Sequence, residues 1–111
     1  MSKPLILLGD VEKSLKSVQS RIDTLAPMFL QLELGEMLEM PQSKPMTSVG
    51  KRCHELRFKD GKNDWRIIYR IDSDATILAS MFKKKTNKTP KQIIELSQQR
   101  LKQYDIDKQE N

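Results

Sequence analysis

Hydrophobic residues in the first forty positions recur at helical spacing. Asp10 can cap a first helix that ends near residue 25, and its apolar stripe consists of Val11, Leu15, Val18, Ile22 and Leu25. The next segment, about Met28 to Glu39, has apolar side chains on nearly every side, and Pro27 suits its first turn. We predict that residues 9–40 form a helical hairpin whose second helix is largely buried.

A strand-like pattern replaces the helical one after residues 41–50, which we interpret as an irregular connection. Three strand signals joined by short turns follow, at about residues 52–59, 65–72 and 76–82. Consecutive strands with short turns pair in antiparallel fashion. We therefore expect a small antiparallel sheet of three to four strands over about residues 51–83.

The sequence Thr89-Pro90-Lys91-Gln92 predicts the start of a last helix. Threonine is a good cap, proline is tolerated at the first helical position, and a glutamine three residues after the cap can close a capping box. The helix should cover about residues 89–104. Together these elements predict one α+β domain over residues 1–111, with a helical hairpin packed on the sheet and a C-terminal helix.

Charge is distributed unevenly along the 111 residues. Residues 1–50 contain 5 Lys and Arg against 6 Asp and Glu, whereas residues 51–111 contain 15 against 9, which gives a net charge of +6 there. A basic half favours a polyanionic partner, because neutralised phosphates release counterions. The alternative is a solvated basic surface that binds nothing.

Several classes of protein are disfavoured by composition. The apolar run from Pro4 to Leu8 is too short for a membrane span or a secretion signal, so we expect a cytoplasmic protein. Cys53 is the only cysteine, which rules out an intrachain disulfide and offers no metal-ligand spacing. We expect no metal and no other cofactor.

Two arginines are candidates for phosphate binding. Strand alternation puts Trp65, Ile67, Tyr69 and Ile71 on one face and Arg66, Ile68 and Arg70 on the other. Across the hairpin, Arg57 can share the non-core face with Arg66, and two guanidiniums so placed can each grip a phosphate. The alternative is that three acidic residues neutralise them in surface salt bridges: Glu55, Asp60 and Asp64.

The end of the third strand carries a dense group of cations. Lys83, Lys84, Lys85 and Lys88 repel one another unless an anion neutralises them, and the predicted helix start adds backbone N–H donors. A solvated lysine loop is the alternative. The only histidine, His54, alternates with Leu56 and Phe58, so a core position is expected more than a catalytic one.

Four segments, in this order, resemble the phage-derived branch of the RelE/HigB toxin superfamily. They are His54-Glu55-Leu56-Arg57, Trp65-Arg66-Ile67-Ile68-Tyr69-Arg70, Phe82-Lys83-Lys84-Lys85-Thr86 with Thr89-Pro90, and Arg100-Leu101-Lys102-Gln103-Tyr104. The corresponding family pattern is an E-L-R strand, an R-x-x-Y strand, an F-x-K-K-T…T-P strand end and a closing R-L…Y helix. The resemblance covers about residues 44–105 and implies a RelE-like fold.

This resemblance implies a toxin that cleaves mRNA on the ribosome without a metal and is silenced by a cognate helix-turn-helix antitoxin. By position, Arg57, Arg66 and Lys84 match the basic residues that orient and stabilise the scissile phosphate. Further RNA contacts are expected from Lys83, Lys85, Lys88 and Arg70. Some relatives carry a catalytic tyrosine just past the third strand; this chain has none there, which leaves His54 as a substitute proton acceptor. The alternative is a non-enzymatic relative that acts by binding a gyrase-type target, or one that binds only its antitoxin.

Overall fold

The order of strands and helices along the chain agrees only in part with the order that the sequence predicts. The computed structural model describes residues 2–110. Its strands are β1 (Leu5–Leu7), β2 (Ser43–Pro45), β3 (Cys53–Asp60), β4 (Asn63–Ile71) and β5 (Thr76–Lys83). Its helices are α1 (Val11–Lys16), a π-helical turn (Arg21–Leu25), α2 (Ala26–Glu33) and α3 (Lys91–Glu110).

The three long strands form the predicted antiparallel meander, but the sheet is larger than expected. Within the described residues it has five strands in the order β1-β5-β4-β3-β2, and β1 runs parallel to β5. The expectation of a RelE-like fold with three to four antiparallel strands is therefore wrong, since the sheet is mixed. Both extra strands have only three residues, too few to show an alternating pattern, and β1 pairs with a strand about seventy positions away.

Each face of the sheet packs against different helices. One face contributes Leu56, Phe58, Trp65, Ile67 and Tyr69 to a core that it shares with the N-terminal helices. The opposite face contributes Ile68, Ile77 and Ala79 to a second core, which Leu101 of α3 completes. The predicted alternation of β4 is confirmed, because neighbouring residues of this strand enter opposite cores.

The N-terminal helical region is shorter and more irregular than the predicted hairpin. Helix α1 ends at Lys16 because the next turn is drawn towards the sheet: Asp60 accepts hydrogen bonds from the backbone N–H groups of Gln19 (3.1 Å) and Ser20 (3.0 Å). Of the predicted stripe, Val11, Val18 and Leu25 are buried, whereas Ile22 is 82% exposed.

The second predicted helix is also shorter, and it is not largely buried. It ends at Glu33, and Gly35 lies beyond it with a positive φ of 80°. Large apolar side chains of this segment face solvent, including Leu30, Leu34 and Met37. A helix that is apolar on all sides can bury only the side that packs on the sheet, and no second layer covers the other side in the part of the chain described.

Helix α3 begins near the predicted position but runs six residues past the predicted end, to Glu110. Ser97 and Leu101 of the predicted face are buried. Thr89 does not cap the helix, because its hydroxyl donates a 2.6 Å hydrogen bond to Glu55 on β3. This contact ties the start of α3 to the sheet.

Candidate functional site

The two candidate arginines lie side by side at one end of the sheet. Arg57 of β3 and Arg66 of β4 are directly opposite each other in the strand register. Both line a small open cleft, which is completed by the strand end and the approach to α3: Glu55, Phe82, Lys84, Thr86, Asn87, Lys88 and Thr89. The predicted sharing of a face by Arg57 and Arg66 is confirmed by this register.

Glu55 is the acidic centre of the cleft. It is only 3% exposed, and one carboxylate oxygen (Oε1) lies 3.5 Å from Arg57 Nε and 3.6 Å from Arg66 Nε. The other oxygen accepts the hydrogen bond from Thr89. Of the three acidic partners suggested by the alternative interpretation, Glu55 does contact both arginines, but it is buried and cannot be counted as a surface salt bridge. Asp60 instead binds the backbone of Gln19 and Ser20.

The two guanidiniums differ in how firmly they are held. Arg66 is 8% exposed, and its Nη1 donates a 3.0 Å hydrogen bond to the carbonyl of Trp65. About a third of the Arg57 side chain (32%) is exposed, and its buried Nε has no hydrogen-bond partner among the described residues. Arg57 therefore retains more donor capacity for a ligand than Arg66 does.

The lysine cluster is divided between the two sides of the sheet. Lys84 is half-buried and lines the cleft with Lys88, and its backbone N–H donates to the carbonyl of Asp64 at 2.7 Å. Lys83 pairs in register with Trp65 and places its ammonium 5.3 Å from the centre of that ring, on the other face. Lys85 is exposed and is not among the residues that line the cleft.

His54 lies on the opposite face from the cleft. Its ring stacks on Tyr69 with the centroids 5.4 Å apart, and burial lowers its pKa. The Tyr69 hydroxyl is hydrogen-bonded to Ser43 at 2.6 Å in the same core. The predicted core orientation of His54 is confirmed, and neither ring can reach a ligand bound beside Arg57 and Arg66.

Arg70 shares the face of Arg66 but lies at the other end of β4. Its guanidinium donates to both carboxylate oxygens of Asp72 (2.7 and 2.8 Å) and of Asp105 on α3 (2.7 and 3.1 Å). These hydrogen bonds raise the pKa of Arg70 further above its ordinary value. With its donors engaged in this way, Arg70 fastens α3 to the sheet and lies outside the cleft.

The cleft concentrates positive charge beside the start of a long helix. Four cations, Arg57, Arg66, Lys84 and Lys88, surround a single carboxylate, and α3 begins two residues after Thr89. Such a group can bind a phosphate and stabilise additional negative charge on it. Within residues 2–110 no cluster of histidine, cysteine and acidic side chains suits a metal ion, and no helix is long and apolar enough to cross a membrane.

Comparison with known protein families decides the family of the chain. The family model for phage derived protein Gp49-like (DUF891) matches residues 18–102, which include every residue of the cleft. The chain belongs to the Gp49-like family. No curated protein and no solved structure matched the sequence.

Two residues of the Gp49-like cleft were assigned other roles from the sequence. Glu55 was considered only as a surface partner of the arginines, and Thr89 only as a helix cap. Strand alternation contained the signal for Glu55, because it is two residues from Arg57 and must share its face. The bond from Thr89 joins residues 34 positions apart, and no local pattern indicates such a contact.

Proposed function

We propose that this protein is the toxin of a type II toxin–antitoxin system and that it is a ribosome-dependent endoribonuclease that cleaves mRNA. The observation that carries the proposal is the convergence of Arg57, Arg66 and Lys84 on one cleft. The Gp49-like family is associated with toxin–antitoxin systems, and the ordered motifs resemble RelE/HigB toxins. Both are consistent with this function.

The chemistry proposed is attack of a ribose 2′-hydroxyl on the adjacent phosphate, which forms a 2′,3′-cyclic phosphate while the P–O5′ bond breaks. The 2′-hydroxyl gives up its proton, and the 5′-oxygen leaves protonated as a hydroxyl. This reaction passes through a pentacoordinate phosphorus with more negative charge than the ground state has, so catalysis depends on cations aimed at the developing charge. Arg57 has exposed donors that can contact the phosphate, and Arg66 and Lys84 add two further positive charges. In this scheme the three side chains supply the charge stabilisation, and no step requires a metal.

The proposed partners rest on the resemblance to RelE/HigB toxins. The substrate is mRNA held at the decoding site of the ribosome, which supplies much of the substrate positioning that a small cleft cannot. A cognate helix-turn-helix antitoxin silences the toxin until it is removed, and the site of action is the cytoplasm.

The test is expression of the protein without its antitoxin, followed by primer extension on cellular mRNA and on purified mRNA with and without ribosomes. We expect growth arrest and discrete cleavage sites only where ribosomes are present. Arg66→Ala and Lys84→Ala should abolish both effects. Lys83→Ala is the matched control, because it removes the same charge from the neighbouring position but on the other face. Normal growth at high expression, or loss of cleavage by K83A equal to that by K84A, would refute the proposal.

One observation favours a second candidate, a basic toxin that acts by binding alone. No histidine or tyrosine is among the residues that line the cleft, and its single carboxylate already contacts Arg57, Arg66 and Thr89. A binding toxin would arrest growth, and K84A would relieve the arrest, but primer extension would show no cleavage. The same experiment therefore separates the two candidates.

A further inference from the structure

The placement of the two arginines creates an electrostatic problem at the centre of the cleft. Arg57 and Arg66 are directly opposite each other on adjacent strands, and like charges in this arrangement destabilise a sheet. Arg66 is also almost completely buried. Something must hold the two guanidiniums together in this position.

Glu55 meets this requirement. Its Oε1 lies nearly equidistant from the two Nε atoms, at 3.5 and 3.6 Å, so one carboxylate attracts both guanidiniums and offsets part of their mutual repulsion. Its Oε2 is bound to the Thr89 hydroxyl at 2.6 Å, which fixes the carboxylate against the opposite wall of the cleft. The terminal nitrogens of Arg57 make no side-chain hydrogen bond within residues 2–110, and about a third of this side chain is exposed to a ligand.

The same contacts prevent Glu55 from touching a substrate. A proton acceptor must come within hydrogen-bond distance of the hydroxyl that it deprotonates. Glu55 is 3% exposed, and its two oxygens are occupied by Thr89 and by the arginines. Any effect of Glu55 on the reaction must therefore pass through Arg57 and Arg66.

We propose that Glu55 is the positioning residue of the cleft: it holds Arg57 and Arg66 side by side in the geometry that grips the scissile phosphodiester. This inference rests on the proposed endoribonuclease function for its substrate. It makes an unusual prediction, because removing the negative charge of Glu55 makes the cleft more attractive to RNA and yet should make it a poorer catalyst.

The experiment compares Glu55→Gln with the wild type in ribosome-dependent cleavage of a defined mRNA. We expect kcat to fall roughly 10- to 100-fold, because small misplacements of charged groups cost about this much. KM should stay equal or decrease, because Lys84 and Lys88 still attract the RNA and one opposing charge is gone. Asp105→Asn is the control: it also removes a carboxylate that binds a sheet arginine, but at the far end of the face, and its kcat should match the wild type.

A double-mutant cycle shows whether Glu55 acts through its neighbour. In an Arg57→Ala background, E55Q should lower kcat by a smaller factor than it does in the wild type, because only Arg66 is then left for Glu55 to position and residues that act as a unit are not additive. An undiminished loss in that background, or an E55Q kcat equal to that of the wild type, would overturn the inference. If E55Q does not fold, Glu55→Asp, which keeps the charge but shortens its reach, is put through the same cycle.

A second measurement does not depend on activity. In ¹⁵N spectra E55Q should shift the Nε–H signals of both Arg57 and Arg66, because both Nε atoms lie within 3.6 Å of Glu55 Oε1. Unchanged signals would overturn the inference even where kcat falls. Absence of cleavage by the wild type would instead refute the proposed function, and the arginine signals would then decide the role of Glu55 by themselves.

Discussion

Gly9 offers a direct test of how α3 is fastened to the sheet. This residue has a positive φ of 55°, and a Cβ atom built on it would lie 2.3 Å from Cζ of Arg100. Arg100 donates from Nη1 to the carbonyl of Ala79 at 2.9 Å and from Nη2 to Asp10 at 3.0 Å. Gly9→Ala must therefore push the guanidinium away from both acceptors.

The expected loss of stability has two parts. An alanine at positive φ costs about 1–2 kcal/mol in backbone strain. Ala79 is fully buried at an irregularity in the pairing of β4 with β5, and leaving its carbonyl without a donor costs about 1–3 kcal/mol. The contact with Asp10 is largely exposed and adds little. The free energy of unfolding should thus fall by about 2–5 kcal/mol.

Gly61 provides the matched control for this experiment. It has nearly the same φ, 61°, but a Cβ there would meet no heavy atom within 4 Å. Gly61→Ala should therefore cost only the strain of about 1–2 kcal/mol. Urea denaturation measures both variants, and with a slope of about 1–3 kcal/mol per molar urea their midpoints should separate clearly.

A double mutant tests whether the extra cost of G9A comes from displacing Arg100. Once Arg100→Ala has removed the guanidinium, G9A should cost no more than G61A does, because the side chain that it displaces is absent. Equal costs for G9A and G61A in the wild-type background would show that Arg100 does not hold α3 to β5 in the way the distances indicate.

Three further predictions concern the core and the two ends of the sheet. Ser97→Ala should lower stability by about 1–3 kcal/mol in urea denaturation, because the buried Ser80 hydroxyl then loses its 2.6 Å partner, whereas the double change of Ser80 and Ser97 to Ala should cost less than the single one. His54→Gln should leave mRNA cleavage within about twofold of the wild type, since the ring is on the other face. Burial lowers the folded-state pKa of His54 from 6.5, so the stability of the wild type should fall as the pH decreases from 6.5 through that lowered pKa. The H54Q variant should not show this loss of stability. The hydrogen bond from Arg70 lowers the pKa of Asp105 below 3.8. The ionised Asp105 therefore contributes its full stabilisation above pH 3.8, and this contribution is lost as the pH falls through the lowered pKa. Unfolding curves of Asp105→Asn should not show that loss.

The parts of the fold that could be predicted are those that produce a local periodicity of apolar residues in the sequence. Alternation along β4 correctly separated Ile67 from Ile68, and alternation along β3 placed Arg57 on the face of Arg66 and His54 on the core side. The extra strands were missed because Leu5–Leu7 and Ser43–Pro45 are too short to alternate and gain their hydrogen bonds from distant partners. The second helical segment was expected to be buried because its composition is apolar, but composition does not say how many faces a neighbour covers.

The candidate site was predictable to about the same extent. Because the predicted third strand ended at Phe82, the lysines that follow it were assigned to one loop. The strand in fact includes Lys83, and extending the alternation by one residue is enough to send Lys83 and Lys84 to opposite sides. The role of Glu55 depends on its hydrogen bond from Thr89, which lies 34 positions away in the sequence. Such a contact forms only when α3 packs on the sheet, so no local sequence pattern predicts it.

The different surroundings of Arg66 and Arg70 follow from where α3 begins and ends on the sheet. Both arginines belong to one face of β4, and the sequence pattern treats them alike. Asp105 binds Arg70 far along the helix, and Thr89, just before the helix, binds Glu55. Between these two contacts α3 covers the apolar middle of the face, including Ile68 and Ala79. Arg66 and its neighbour Arg57 lie before the N-terminal contact of α3, and no helix within residues 2–110 covers them. Arg57 is therefore partly exposed to a ligand, whereas Arg66 is buried beside Glu55. Moving the start of α3 would therefore alter the cleft without changing any arginine.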